Sequence, residues 1–389
     1  MIKKLKDICE IIGGIPAPQE DSLFDSNGFP FVRMKDLGKY HLTNNLVEVS
    51  DRLSYSFHKK HINKIVKKGA ILLPRSGSVA LNHRAILGMD AFVVSHICAL
   101  EIKDSNVTNS YLYYALRNIK MNKITKKTTG LDAVTFEDLG NLKIPIPSLP
   151  EQKLIAEILD KADSVRQKRK ESIALLDELL RSVFLDMFGD PVRNEKGWEK
   201  KQFKSIVEDY DYGLSNKADE DNTGIPMLRM NNITYEGRID ISKLKYINKS
   251  KFDFQKYKLI KNDFLFNRTN SPELVGKCSV WNSEQEITFA GYLIRFRFVK
   301  DIANPYFVSH YFNSSFGKKF LYTRARPSIN MSNISASTLM GFPILIPPIK
   351  LQTQFAKIVE QVQVTKARME ESLSEMDNQF EGLMQGVFR

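Results

Sequence analysis

Residues 139–152 read LGNLKIPIPSLPEQ, and residues 339–352 read LMGFPILIPPIKLQ. Each stretch passes from a short apolar strand pattern, through prolines, into a long helical pattern. The two helical patterns then align without a gap at an offset of 200 residues, up to Phe188 and Phe388. Self-similarity at a fixed offset indicates an internal duplication. We therefore expect two copies of one arrangement, each a globular domain followed by a long helix.

Matches outside the helices support the duplication. The segment GFPFVRM (28–34) corresponds to GIPMLRM (224–230), and AILLPRS (70–76) corresponds to DFLFNRT (263–269). Any two amphipathic helices resemble each other, but that resemblance does not produce ordered matches across strands, turns and prolines. We expect four segments, namely globular domains over 1–147 and 191–347 and long helices over 148–190 and 348–389.

Both helical patterns carry a narrow apolar stripe. In the first, apolar residues recur at spacings of three and four, at positions 155, 158, 162, 165, 173, 176, 180, 183 and 187. In the second they recur at positions 355, 358, 362, 373, 376, 380, 383 and 387. At about 1.5 Å per residue, each helix spans roughly 58 Å. A stripe this long must be buried, and its simplest partner is the other helix, which predicts an antiparallel coiled coil with pseudo-twofold symmetry. The alternative is that each helix packs on its own globular domain.

Four basic residues interrupt the stripe of the first helix, namely Arg166, Lys168, Arg169 and Lys170. A run of like charges on a helix usually forms a solvated face, which is the interpretation favoured here. A phosphate-binding role for this run is the alternative.

Each globular copy is predicted to mix α and β structure, so the fold class is α+β. Short helices are expected at 110–118 and 305–313. The strand patterns lie at 30–34, 70–74, 92–101 and 142–146 in copy one, and at 226–230, 263–267, 287–298 and 342–346 in copy two.

Composition limits the class of protein. The 389 residues are 42% hydrophobic and 26% charged, which is typical of a soluble globular protein and excludes a mainly disordered or fibrous chain. Lys and Arg number 57 against 45 Asp and Glu, so the formal charge is +12. This surplus favours a polyanionic partner such as nucleic acid. A basic protein without such a partner is the alternative.

The cysteines and the apolar runs indicate the cellular compartment in which the protein is expected. Cys9, Cys98 and Cys278 are odd in number and far apart, which predicts neither a disulfide framework nor a cysteine-based zinc site. No apolar run approaches the roughly 18 residues that cross a bilayer. The N-terminal segment also lacks an apolar signal core, so we expect a cytoplasmic protein.

Basic and polar residues follow the predicted strands at three places in each copy. Arginine, hydroxyl and amide side chains on a loop after a rigid strand suit contacts with phosphates and base edges. An ordinary polar turn is the alternative for any one loop, but three loops that recur in both copies favour DNA binding. The candidate DNA-binding residues of copy one are Arg33, Lys35, Arg75, Ser76, Ser78, Lys126, Lys127 and Thr128. Those of copy two are Arg229, Asn231, Asn232, Arg268, Thr269, Asn270, Arg324, Arg326 and Asn330.

Patterns that resemble catalytic motifs are weak. Asn304–Phe307 (NPYF) resembles the active-site motif of amino-methyltransferases, but no glycine-rich cofactor loop precedes it, and its copy-one counterpart, beginning at Asn109, reads as a helix start. Asp90 with Glu101-Ile102-Lys103 has the spacing of a metal-dependent nuclease, and copy two lacks it. No phosphate-binding GxxxxGK[ST] loop occurs. We therefore expect no catalytic residue, no metal site and no cofactor on this chain.

The junction IPIPSLPEQKLIAEILDKAD (144–163) and the helix end FGDP (188–191) together resemble the central conserved region of type I restriction–modification specificity subunits. The repeated GFPFVRM-type openings resemble that family's target recognition domains, and the second helix resembles its C-terminal conserved region. The second junction departs from the pattern, since Ile349-Lys350-Leu351-Gln352 replaces Leu149-Pro150-Glu151-Gln152.

The resemblance implies a non-catalytic DNA reader. Two recognition domains would each bind one half of a split target in double-stranded DNA, and the paired helices would space them and dock two methyltransferase subunits. Those subunits would carry S-adenosylmethionine, and restriction subunits with translocase and nuclease activity would join the complex. Two alternatives remain from the residues alone: a single-chain DNA-modifying enzyme with a degenerate methyltransferase motif, and a coiled-coil scaffold that does not bind DNA.

Overall fold

The computed structural model describes residues 1–40, 45–121, 126–127, 132–216, 223–328 and 331–388. The chain forms two compact units. The first unit comprises Met1–Ser172 and Met369–Arg389, and the second unit comprises Ile173–Arg368. Each unit holds the strands of one copy together with part of both long helices. The predicted mixture of α and β structure is confirmed.

The first unit is built on two sheets. A five-stranded sheet has the spatial order Cys9–Gly13, Ile97–Ile102, Ile71–Pro74, Ala85–Leu87 and Asn45–Leu46. A three-stranded sheet has the order Asp51–Leu53, Phe24–Val32 and Phe92–Val93. Ile2–Lys4 pairs antiparallel with Lys143–Pro145, and Lys126–Lys127 pairs antiparallel with Asp132–Ala133. The helices before the long one are Leu5–Ile8, Met34–Tyr40, Tyr55–Lys60, Asn109–Asn118 and Phe136–Gly140.

The second unit repeats this plan. A four-stranded sheet has the order Val207–Tyr212, Leu293–Phe298, Phe264–Asn267 and Cys278–Val280. Three-stranded sheets join Lys245–Ile247, Ile225–Leu228 and Thr288–Phe289, and join Thr269–Asn270, Met331–Asn333 and Arg326–Ser328. Glu199–Gln202 pairs antiparallel with Pro343–Ile346. The shorter helices are Phe254–Tyr257, Pro305–Asn313, Ser315–Arg324 and Ala336–Met340.

The prediction of one long strand at 92–101, and of another at 287–298, is wrong in the same way in both copies. Each divides into two strands around a tight turn, at 94–96 in copy one and at 290–292 in copy two. The turns are closed by backbone hydrogen bonds from Ile97 to Val94 and from Leu293 to Ala290, both 2.8 Å. An apolar run does not reveal such a turn, because the residues on both sides of it are buried and hydrophobic.

The structure explains the glycine that opens each copy of the repeated strand. A Cβ atom on Gly28 would collide with the carbonyl oxygen of Leu53, and one on Gly224 would collide with that of Ile247. Both oxygens belong to the neighbouring strand of the same small sheet. The glycine therefore allows the two backbones to approach closely.

A buried glutamine fastens the start of each long helix to its domain. The first long helix spans Leu149–Phe188 and the second spans Ile349–Val387. Gln152 accepts a hydrogen bond from the backbone of Thr108 (3.0 Å), and Gln352 accepts one from that of Asn304 (2.9 Å). Each glutamine amide also donates to two backbone carbonyl groups, one in its domain and one just before its helix. Both side chains are 0% exposed, so these bonds fix the angle at which each helix leaves its domain.

The long helices make antiparallel contacts inside each unit. In the second unit Lys366 pairs with Asp177 (2.5 Å), while Phe355 packs against Phe184 further toward the C-terminal end of the first helix. In the first unit Arg166 Nε donates to Asp377 (2.7 Å). The two ion pairs correspond under the 200-residue repeat, because Arg166 is equivalent to Lys366 and Asp177 is equivalent to Asp377.

The expectation that Arg166 belongs to a solvated face is wrong. Arg166 is 8% exposed, pairs with Asp163 and Asp377, and lies 4.3 Å from the ring centroid of Phe380. The predicted stripe is also wrong at Ile158, Val165, Leu383 and Val387, which are exposed. The stripe shifts because the buried face includes polar side chains such as Gln152, Asp163 and Arg166, and a purely apolar pattern omits these.

Candidate nucleic-acid interface

The structure brings two of the three predicted loops together in the first unit. Arg75 directly follows the strand Ile71–Pro74, and its backbone N–H donates to the carbonyl of His96 in the 94–96 turn (2.8 Å). The carbonyl of Arg75 accepts from Val134 (2.9 Å), and Ser76 forms a β-bridge with Ala133. The Arg75 loop therefore lies between the 94–96 turn and the hairpin that contains Lys126 and Lys127.

The guanidinium group of Arg75 is available to an external partner. Its carbon atom lies 4.7 Å from the ring centroid of Phe136, and it forms no ion pair or side-chain hydrogen bond with any residue in the described ranges. Beside it, Ser76 Oγ and His96 Nδ1 are 2.7 Å apart at the surface. The loop thus offers an uncompensated positive charge and free N–H donors, which are the groups that bind phosphate or the guanine edge bidentately.

The second unit builds the same arrangement around Arg268. Its backbone N–H donates to Tyr292 in the 290–292 turn (2.9 Å), and its carbonyl accepts from Ile334 (2.8 Å). The guanidinium carbon lies 5.0 Å from the ring centroid of Tyr212. One Arg268 N–H donates to Gly291 O at 3.4 Å, and no carboxylate of the described residues pairs with it. We call the Arg75 and Arg268 loops, with their adjoining turns and hairpins, the loop edges of the two units.

One glycine supports each loop edge, and sequence reasoning missed both. A Cβ atom on Gly14 would overlap the carbonyl oxygens of Val93 and Val94, and one on Gly213 would overlap those of Phe289 and Ala290. The following residues, Ile15 and Leu214, form parallel bridges to the same turns. A comparison of GGI (13–15) with YGL (212–214) could have found this signal.

The cluster at Arg33 differs between the copies. In the first unit Asp51 pairs with both Arg33 (2.8 Å) and Lys35 (3.4 Å), so part of their charge is compensated. In the second unit Arg229 forms no ion pair within the described ranges, and it follows the strand Ile225–Leu228, whose last residue bonds to the 290–292 turn. Arg229 therefore lies close to the loop edge of its unit.

Several candidates are buried. Asn232 is 3% exposed, and its amide accepts from Arg229 N and donates to the carbonyls of Asp240 and Lys243. Thr269 and Asn270 are buried in the small sheet, where Asn333 donates to the Thr269 hydroxyl (2.9 Å). These three side chains shape the loops and present little polar surface.

The other candidates are exposed, lie in short elements near the two loops, or lie outside the described residues. Asn231 and Arg324 are exposed. Ser78 begins a short 3₁₀ helix, and Lys126, Lys127 and Arg326 lie in the hairpin strands that adjoin the two loop edges. Thr128 and Asn330 lie outside the described residues.

The methyltransferase-like NPYF segment has a structural role. The side chain of Asn304 caps the helix Pro305–Asn313 by accepting from Tyr306 N (3.0 Å), and its backbone N–H binds Gln352. Its structural counterpart is Thr108, whose backbone N–H donates to Gln152, so the predicted equivalence with Asn109 is wrong by one residue. The amide that would have to contact a target base is thus committed to capping a helix.

The two nuclease-like carboxylates already have hydrogen-bond partners, and the buried cysteine thiols are poor nucleophiles. Asp90 accepts from the side chain of Lys67 and the backbone of Lys68, and Glu101 accepts from Lys67 N. Burial raises the pKa of the Cys98 and Cys278 thiols to about 12, which disfavours the reactive thiolate. Within the described ranges, no three His, Cys, Asp or Glu residues could share a metal ion, and no helix is long and apolar enough to cross a membrane.

The chain thus contains two copies of one α/β domain. Each copy presents an uncompensated arginine at a strand end and is followed by a long helix. This arrangement is that of a two-domain recognition protein. The chain belongs to the family of the type I restriction modification DNA specificity domain, whose family model matches residues 1–175 and again residues 195–375. The resemblance inferred from the junctions and repeated motifs is therefore confirmed. The role of this family is target recognition rather than catalysis.

Individual relatives agree with this assignment. The chain is 23% identical over 417 residues to the type I restriction enzyme EcoKI specificity subunit of Escherichia coli K12, covering 100% of this chain and 88% of the relative. It is 30% identical over 193 residues to the putative MjaX specificity subunit of Methanocaldococcus jannaschii, covering 49% and 45%. The S subunit of M. genitalium shares the fold, with a TM-score of 0.58 at 17% identity, covering 100% of this chain and 96% of that one.

Proposed function

We propose that this chain reads a split target in double-stranded DNA for a type I restriction–modification complex, with one half-site read by each loop edge. The observation that carries the proposal is the repeated arginine. Arg75 and Arg268 hold equivalent places after equivalent strands, and neither is neutralised by a carboxylate of the described residues. Arg33, by contrast, is paired with the carboxylate of Asp51 (2.8 Å).

The differences between the two loop edges support two different half-sites. Ser76 and His96 lie beside Arg75 at the surface, whereas a buried Thr269 and an exposed Tyr292 occupy the corresponding places beside Arg268. Base readout depends on the donors and acceptors that surround the arginine. Two copies with different neighbours are therefore expected to read different bases.

The long helices are proposed to set the spacer between the half-sites and to dock methyltransferase subunits. Three apolar side chains, those of Leu154, Ile158 and Val165, are exposed on the part of the first helix that belongs to the first unit. Leu175 and Leu179 are exposed on the part that belongs to the second unit. Apolar side chains repeated along one helix are typical of a surface that a partner protein covers. Insertion of residues into 155–183 should change the spacer length and leave both half-sites unchanged, and deletion of a heptad should shorten the spacer or abolish activity.

The proposal gives the chemistry to the partners. Two methyltransferase subunits would bind S-adenosylmethionine, restriction subunits would translocate and cleave DNA, and the whole assembly would work in the cytoplasm. A solved structure of the type I R-M system shares the fold, with a TM-score of 0.53 at 15% identity over 100% of this chain and 97% of that one.

The test is to map methylation on genomic DNA after incubation of the chain with its methyltransferase subunits and S-adenosylmethionine. The expected result is modification at two short, different half-sites separated by an unread spacer of fixed length. The chain without partners should modify nothing. Methyl transfer by the chain alone, or a single continuous site, would contradict the proposal.

A further inference from the structure

Each loop-edge arginine is packed on one aromatic ring, but the two rings come from different parts of the chain. Arg75 lies over Phe136, the first residue of the short helix Phe136–Gly140. Arg268 lies over Tyr212, the last residue of the strand Val207–Tyr212. The two rings are also exposed to the same degree, 40% for Phe136 and 39% for Tyr212.

Sheet register identifies the equivalent positions. Gly13 is paired with Cys98, and Tyr212 is paired with Ile294, at the same point of the two main sheets. The counterpart of Tyr212 in copy one is therefore Gly13. The counterpart of Phe136 in copy two is Ala336, since each is the first residue of a short helix whose preceding Thr or Ser side chain caps it.

Each copy thus has one large and one small side chain at these two equivalent positions, and the large one stands at opposite positions in the two copies. In copy one the pair is Gly13 and Phe136, and a Cβ atom on Gly13 would lie only 2.9 Å from Cζ of the phenylalanine ring. In copy two the pair is Tyr212 and Ala336, and the tyrosine hydroxyl oxygen accepts a hydrogen bond from Ala336 N (3.0 Å). A ring therefore lies against the arginine in both copies, although the backbone that carries it differs.

We propose that Phe136 and Tyr212 are positioning residues for DNA recognition by Arg75 and Arg268. A ring face attracts the guanidinium group through its π electrons and restricts its plane without using an N–H donor. A carboxylate would also hold the group, but it would consume two donors and the positive charge. The aromatic ring therefore leaves the donors free for a bidentate contact with a base or phosphate. This inference rests on the function proposed above.

The experiment uses the chain assembled with its methyltransferase subunits and a duplex that carries the methylation-mapped target. Phe136→Leu keeps an apolar side chain but removes the ring, Phe136→Tyr keeps the ring, and Tyr55→Leu removes another exposed ring of the same unit as a control. Phe136→Leu should weaken binding about two- to fivefold, the cation–π range. It should also reduce discrimination against base changes in one half-site and not in the other. Phe136→Tyr and Tyr55→Leu should bind like the wild type.

A transplant of the copy-two arrangement gives the sharper test. The double variant Gly13→Tyr with Phe136→Ala should recover the affinity and half-site discrimination that Phe136→Ala loses. Wild-type discrimination by Phe136→Leu, or no recovery in a double variant that folds, would overturn the inference. If Arg75→Ala weakens binding while Phe136→Leu does not, only the positioning role fails. If Arg75→Ala has no effect, the proposed DNA-reading function fails with it.

Discussion

The replacement of Gln352 by methionine should destabilise the second unit severely. Methionine has a similar volume, so the change removes the amide without opening a large cavity. Three backbone groups would lose their partner, namely Asn304 N (2.9 Å), Ile302 O (3.0 Å) and Pro347 O (2.7 Å). Each unsatisfied buried group costs about 1–3 kcal/mol. Because such costs are not fully additive, we expect a loss of about 3–5 kcal/mol in the free energy of unfolding.

Tryptophan fluorescence during urea unfolding measures this effect in the right place, because both tryptophans, Trp198 and Trp281, belong to the second unit. Gln363→Met is the matched control, since Gln363 is exposed on the same helix and its replacement should change stability by less than about 0.5 kcal/mol. If Gln352→Met unfolds within about 1 kcal/mol of the wild type, water or a rearranged backbone satisfies the three groups, and the glutamine does not hold the helix as argued.

Three further variants test other parts of the structure. Gly213→Ala should destabilise the second unit and weaken DNA binding at one half-site, because its Cβ atom has no space beside the 290–292 turn; a variant as stable as the wild type would show that the turn can move. Arg166→Met should cost about 1–3 kcal/mol by thermal unfolding, because it removes the cation that pairs with Asp163 and Asp377, whereas a change as small as that of exposed Lys168→Met would mean that the ion pairs contribute little. Burial lowers the pKa of His310, so the unfolded state binds a proton more readily than the folded state. The stability of the second unit should therefore fall as pH drops below about 6.5. His310→Phe should flatten this pH dependence of stability, and an unchanged dependence would assign it to other groups.

The duplication and the loop positions could be predicted because they rest on local patterns. Strand ends and helix junctions recur as short ordered motifs, and Arg75 and Arg268 occupy the same place in one of them. The secondary structure agrees, since the strands Ile71–Pro74 and Phe264–Asn267 end directly before these arginines. Local patterns were sufficient here because the residues that form each strand are contiguous in the chain.

The partners of those residues could not be predicted, since they are distant in sequence. Nothing near Arg166 indicates that Asp377 and Phe380 bury it, and nothing near Arg75 indicates Phe136. The exchange of Gly13 and Phe136 for Tyr212 and Ala336 is also invisible to an alignment of either segment alone, because each position changes residue type. The register of the sheets is what identifies these positions as equivalent.

The most direct test of the account is the effect of Arg75→Ala and Arg268→Ala on each half-site of the mapped target. Binding of the assembled complex would be measured on duplexes with single base changes in one half-site or the other, at several salt concentrations. Each variant should lose about 1–3 kcal/mol of binding free energy and relax specificity at one half-site only, and the two variants should affect opposite half-sites. If either variant binds like the wild type at every salt concentration, or if both affect the same half-site, the claim of two separate DNA-reading loop edges is contradicted.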